Sequence, residues 1–280
     1  MLRKVVASFI FCFTISIYSS PIVISSFQDL DEEWERLDEQ ALVVLDVDEV
    51  LITTKDHYMH PYSEETVLSI VMEALMFAES DLEKRDMEEA LSLALILPER
   101  HLIEKSVPLL IKNLQSRGVK VIALTDCMTG SLGVIPKLEV WRIENLKSLG
   151  VDFSLSFPSI QSHRIDIPFS KKKCPLYEQG ILFSGGHKKG DVLKAFLTES
   201  DFKPSKVIFI DDLSRNVDSV EFELKNMNIE SRVYQYTGAS EFFRNSVDEQ
   251  ILKHQFEHLI ETKTWLSDAE IEALENFSSL

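Results

Sequence analysis

Three apolar runs, each closed by an acid, constrain this chain more than any other feature: "ALVVLD" at 41–46, "VKVIALTD" at 119–126 and "KVIFIDD" at 206–212. They are nearly unbroken Val, Ile, Leu and Phe. A strand with one wet face alternates; a strand covered on both faces, as in a parallel sheet, does not. A fourth run, "SRVYQYTG" at 231–238, is weaker. Between the runs the apolar spacing becomes helical. "PERHLIEKSVPLLIKNLQSRG" carries Leu102, Ile103, Val107, Leu110, Ile111 and Leu114 and stops at Gly118, a helix C-terminal signal. "KLEVWRIENLKSLG" repeats the form with Val140, Ile143, Leu146 and Leu149 before Gly150. "KGDVLKAFLTES" and "VDSVEFELKNMN" read as further helices, and "VDFSLSF" as a weak strand. Strands alternating with helices predict an α/β fold, Rossmann-like, three layers deep, with a mainly parallel sheet.

About 45 residues separate the first strand from the helix before the second, too many for a plain loop. Helical spacing in Val67, Ile70, Val71, Ala74 and Leu75, and again in Met87, Ala90 and Leu91, predicts two helices joined by "ESDLEKRD". They form a cap insertion at about 55–100, entering beside the C-terminal end of the first strand. A second insertion spans about 128–184 and ends in "LYEQGILFSGG", the pattern of a hairpin.

The chain opens with Arg3 and Lys4, an uncharged apolar stretch from Val5 to Tyr18, and small residues at Ser19, Ser20, Ser25 and Ser26. That is the order of a secretory signal peptide, read as residues 1–25 ahead of a 26–280 domain; the alternative is an uncleaved anchor. Cleavage leaves no segment for stable membrane insertion. It also leaves Cys127 and Cys174, which pair or stay as free thiols with equal expectation. The formal charge of −17 repels phosphate backbones, so nucleic acid is not an expected partner.

At the C-terminal ends of the strands stand Asp46 and Asp48, Thr125 and Asp126, and Asp211 and Asp212. That edge is where open α/β sheets bind ligands. Acids converging there need neutralising, and an all-oxygen set suits Mg²⁺. "SGGHKKGDVL" brings Lys188 and Lys189 to a helix start as a second source of positive charge.

In this order "VVLDVDEVL", "VIALTD", "HKKGDVL" and "VIFIDDLSRNV" resemble the four motifs of the haloacid dehalogenase (HAD) superfamily, over about Ala41 to Tyr236. Asp212 and Asn216 meet the four-residue spacing of the last motif. The opening segment and "WRIENLKSLGVDF" are also similar to a family of exported bacterial HAD-like proteins. Glu49 departs from the pattern, standing where HAD phosphatases more often carry a small residue.

The resemblance implies an exported, periplasmic or secreted, Mg²⁺-dependent phosphatase of a small-molecule phosphate ester. Asp46 is then the nucleophile and Asp48 the acid and base. Thr125 and Lys189 hold phosphoryl oxygens, and the metal takes the Asp46 carboxylate, the Asp48 carbonyl and Asp212, with Asp211 as a further ligand or just behind the ligands. Two other functions fit the same residues: a catalytically silent HAD-like fold used for binding or at the cell surface, and phosphoryl transfer to an acceptor other than water.

Overall fold

The computed structural model describes residues 21–56, 80–160, 162–167, 173–242 and 249–278. The segment read as a signal peptide lies mostly outside them, as does the first cap helix. The architecture is α/β. The strands are β1 (Ile22–Ile24), β2 (Ala41–Leu45), β3 (Ile52–Thr54), β4 (Arg100–Leu102), β5 (Lys120–Thr125), β6 (Ser162–Arg164), β7 (Leu176–Glu178), β8 (Ile181–Phe183), β9 (Lys206–Asp211) and β10 (Glu230–Tyr236). Eight of them form one sheet in the order β1-β10-β9-β2-β5-β8-β7-β6, parallel from β1 to β8. Only β7 is reversed, antiparallel to β8 on one side and to β6 on the other. The hairpin joining β7 to β8 turns at Gln179 and Gly180, both at positive φ, the backbone that a tight two-residue turn demands.

The unbroken apolar runs are explained by burial on both faces. Val43, Leu45, Val121, Ala123, Ile208 and Ile210 face one core, shared with Trp34 of α1 (Asp31–Arg36), α3 (Val107–Ser116) and α4 (Leu138–Ser148). Leu42, Val44, Ile122, Leu124, Val207 and Phe209 face the other, closed by α5 (Lys189–Glu199) and α6 (Ser214–Asn226). Helix, sheet, helix: the layers are three. Fully burying one such aliphatic side chain contributes about 1.5–3 kcal/mol, so these interior positions dominate the stability of the sheet.

Three local expectations need correction. The helix expected across 98–118 begins only at Val107, with Pro108 in its first turn, where a missing N–H costs nothing. Residues Arg100–Leu102 form β4 instead, antiparallel to β3. "VDFSLSF" is not a strand. Val151 and Phe153 are buried there, but the edge of β5 is completed by a side chain: Ser156 Oγ accepts from Val121 N–H at 2.9 Å and donates back to Val121 C=O. Finally, "ESDLEKRD" is not a linker, because α2 (Asp81–Ile96) starts inside it.

The C-terminal helices extend the insertion. Ala90 and Ala94 of α2 pack with Leu252, Phe256 and Leu259 of α7 (Glu249–Thr262). Asp56, just past β3, accepts from Trp265 Nε1 at 2.9 Å and from the Asp268 N–H at 3.1 Å, at the start of α8 (Asp268–Ser278). Sequence spacing placed α2 in an insertion but offered no sign that α7 would pack on it. Ile22–Ile24 belong to the sheet, so cleavage after residue 25 would remove a strand. No helix among the described residues is long and apolar enough to cross a membrane.

Candidate active site

Register brings the strand-end residues together. Leu45 of β2 lies opposite Ile210 of β9 and Ala123 of β5, and Asp46 N–H donates to Ile210 C=O at 2.9 Å. Asp46 therefore sits level with Asp211, at the point where the chain, having run from β2 to β5, later fills the opposite side with β9. Such a switch point opens a crevice at the strand ends. Carboxylate oxygens of Asp46, Asp211 and Asp212 lie within 4.8 Å of one another.

Lys189, at the first position of α5, is 1% exposed and reaches between two of these acids: Nζ is 2.7 Å from Asp46 Oδ1 and 2.8 Å from Asp211 Oδ2. Lys188 is exposed and lines a neighbouring cleft of about 600 Å³ with Arg215, Asn216 and Phe222. Asp211 is fully buried and fully bonded, accepting also from Leu213 N–H at 2.9 Å and Asn216 Nδ2 at 3.0 and 3.2 Å. Asn216 thus holds Asp211 rather than Asp212, whose spacing it matched. Thr125 is buried, its Oγ1 accepting from Cys127 N–H at 3.1 Å. Asp126 is exposed and accepts from Ser184 Oγ at 2.6 Å.

One lysine does not balance three carboxylates. Burial, then the charge of Asp211, hold the Asp46 carboxyl well above the usual carboxylate range, despite Lys189. Burial and Asp211 push Asp212 up to about 7. For Lys189 burial alone favours the neutral amine, and Asp46 and Asp211 more than reverse it. The arrangement is short of positive charge, and its oxygen donors are those a hard divalent cation takes.

Asp48 does not join this cluster by its side chain. Its carboxylate meets Arg142 Nη2 of α4, at 3.0 Å from each oxygen. Sequence reasoning missed Arg142, although a signal was there. With Leu138 and Leu146 it lies on the buried i, i+4 stripe of α4, where a charge is out of place; Val140, read as core, is exposed. Cys127 and Cys174 are both free thiols.

Glu49 is buried, at φ 61° in the turn after Asp48, a backbone region that costs a non-glycine residue about 1 kcal/mol or more. Thr53 Oγ1 donates to it at 3.1 Å. Burial, then Asp48, push its carboxyl up to about 8, the Thr53 bond opposing. A carboxyl that binds its proton more tightly when folded stabilises fully below its unfolded value and loses that contribution as pH rises through the folded one. In the presence of a chelator, thermal stability is therefore expected to fall between about pH 4.5 and pH 8, with Asp212 acting in the same direction. Glu49→Gln should flatten that slope. Equal slopes for the two proteins in calorimetry would show that Glu49 is not the group responsible.

A family model described as "Protein of unknown function (DUF2608)" matches residues 23–272. An uncharacterized protein of Rickettsia felis is 30% identical over 132 residues, 46% of this chain and 44% of that protein. One of Rickettsia typhi matches to the same extent and identity. Another, of Rickettsia prowazekii, is 22% identical over 233 residues, 83% of this chain and 82% of that protein. The matched region spans less than half the length of the first of these relatives. No solved structure matches the chain.

Proposed function

The chain belongs to the DUF2608 family, and from that premise we propose that it is a HAD-like, Mg²⁺-dependent phosphatase acting on a small phosphate ester outside the cytoplasm. The observation that carries the reading is the buried Lys189 bridging Asp46 and Asp211 at the crevice of a parallel sheet, with Asp212 beside them. Purely structural acids at that edge would not need to be gathered about one lysine and left short of positive charge.

The divalent cation would be held by the carboxylates of Asp46 and Asp212, with Asp211 beside them and the Asp48 carbonyl completing the set. When bound it screens the charge between an anionic nucleophile and an anionic phosphoryl group. The Asp46 carboxylate attacks phosphorus in line with the leaving oxygen. The ester P–O bond breaks as Asp48 gives that oxygen a proton, leaving the phosphoryl group on Asp46. Water then attacks this phosphorus and yields its proton to Asp48, releasing inorganic phosphate and restoring Asp46. Lys189 and Thr125 hold the phosphoryl oxygens. The insertion with α2, α7 and α8 excludes water from the crevice and meets the leaving group. A leader peptide is removed before Ile22, keeping β1 in the sheet.

Purified protein assayed against a panel of alkyl and aryl phosphates should release phosphate with Mg²⁺ and lose that activity with a chelator. Absence of Mg²⁺-dependent release from every ester in the panel would sink the hydrolase reading and favour a silent fold. Phosphate release that falls relative to release of the leaving group when an alcohol is added, with the alcohol recovered as its phosphate, would instead favour transfer to an acceptor.

A further inference from the structure

We propose that Arg142 is a positioning residue for Asp48, and that Trp141 and Arg100 tie this pair to the base of the α2 insertion. The proposal rests on the phosphatase reading for the task it gives Asp48.

Arg142 is 2% exposed, while the side chain of Asp48 is 37% exposed. The guanidinium is therefore buried, while the carboxylate it holds stays partly open to solvent. Nη2 contacts both carboxylate oxygens at 3.0 Å. The Cys127 thiol, a weak acceptor, also interacts with this guanidinium, and Nε and Nη1 have no hydrogen-bond partner among the described residues. Such a placement is costly: a buried ion pair seldom improves on apolar residues of the same volume, and here two donors go unused as well. Stability alone gives no reason for an arginine on this stripe. Holding a carboxylate does. Asp48 is on the tight turn after β2, and without the guanidinium its side chain is free to swing towards water.

The tie extends outward. The Arg142 guanidinium lies 4.8 Å from the ring centre of Trp141, and the Arg100 guanidinium lies 5.2 Å from that same ring. Arg100 belongs to β4, and its Nη1 donates to Leu95 C=O in the last turn of α2. Asp48, Arg142, Trp141, Arg100 and the end of α2 thus form one chain of contacts. A shift of the insertion is felt by the carboxylate that serves the leaving group.

Two measurements test this. The first is a double-mutant cycle of Asp48→Asn and Arg142→Met, read by denaturant unfolding. Asp48→Asn alone strands a buried cation, so Arg142→Met should recover most of the loss, with a coupling above about tenfold in the unfolding constant. Additive effects would overturn the pairing whether or not the protein hydrolyses any ester. The second is turnover of an alkyl phosphate against p-nitrophenyl phosphate, whose leaving group needs no proton. In Arg142→Met, kcat should fall at least about tenfold more for the alkyl ester, with KM little changed. Arg142→Lys and Trp141→Leu should shift the ratio the same way by less. A folded, active Arg142→Met with the wild-type ratio would reduce Arg142 to packing and overturn the positioning role. A wild type inactive on the whole panel sinks the hydrolase reading and the positioning role together, and a strong coupling in the cycle would then stand as a structural pair only.

Discussion

Asp46→Asn is expected to abolish Mg²⁺-dependent phosphate release, by about 10⁴-fold or more, because no covalent route survives without the anionic oxygen. The fold should remain. Asn keeps the shape of Asp and its Oδ1 can still accept from Val47 N–H, which is 2.7 Å from the Asp46 oxygen. Lys189 keeps Asp211 at 2.8 Å, so no buried cation is stranded. A carboxyl held well above its usual range by burial and by Asp211 is costly in its charged form, and removing it should leave stability at neutral pH unchanged or raised. The check combines phosphate release with urea denaturation. A folded Asp46→Asn protein that kept near-normal activity would refute the nucleophile assignment.

Lys189→Met is expected to cost about 3–5 kcal/mol of stability, since it removes one partner from a buried charged group. The side chain it replaces is 1% exposed and the two acids it contacts are buried, so water cannot readily take its place. Here the metal hypothesis makes a second demand. A divalent cation supplies charge to the same carboxylates, so added Mg²⁺ should return part of the lost stability, and a chelator should remove it again. Denaturant midpoints for wild type and variant, with Mg²⁺ and with chelator, give the answer in four curves. A variant as stable as wild type in chelator would mean the acids are protonated or hydrated and do not depend on Lys189. Turnover should be lost in either case, because Lys189 also holds a phosphoryl oxygen in the proposed mechanism.

Much of this site could be anticipated from residue order, and the reason is geometric. A strand buried on both faces writes itself as an unbroken apolar run, so Asp46, Thr125 and Asp211 could be recognised as strand ends, and parallel strands put such ends on one edge. Lys189 could be preferred to Lys188 because it directly precedes Gly190 and the helix, and it is Lys189 that is buried between the acids. Register settled the rest of the cluster. Asp46 meets Asp211 because Leu45 pairs with Ile210, a relation between residues 165 positions apart that no local spacing encodes.

Where local pattern misled, a distant partner had overridden it. Arg100–Leu102 reads as the first turn of a helix, yet it pairs with Thr54–Ile52 as β4, and Pro108 sets the helix start further on. "VDFSLSF" has strand composition, but Ser156 completes Val121 with one hydroxyl and no ladder forms. The C-terminal helices gave no local sign of their destination, because an amphipathic helix shows which face is apolar and not what covers it; α7 found α2.

What the amino-acid order determined by itself, then, is the set of elements with two buried faces and the acids and lysine at their ends, since burial and helix starts leave local, periodic marks. Tertiary structure alone decided that Asp46 and Asp211 share Lys189, that Asn216 serves Asp211, that α7 packs on α2, and that Asp48 answers to Arg142. These are pairings across the fold, fixed by register and packing between segments far apart in the chain, and a charge on a buried helical stripe reveals its partner only when the helix has docked.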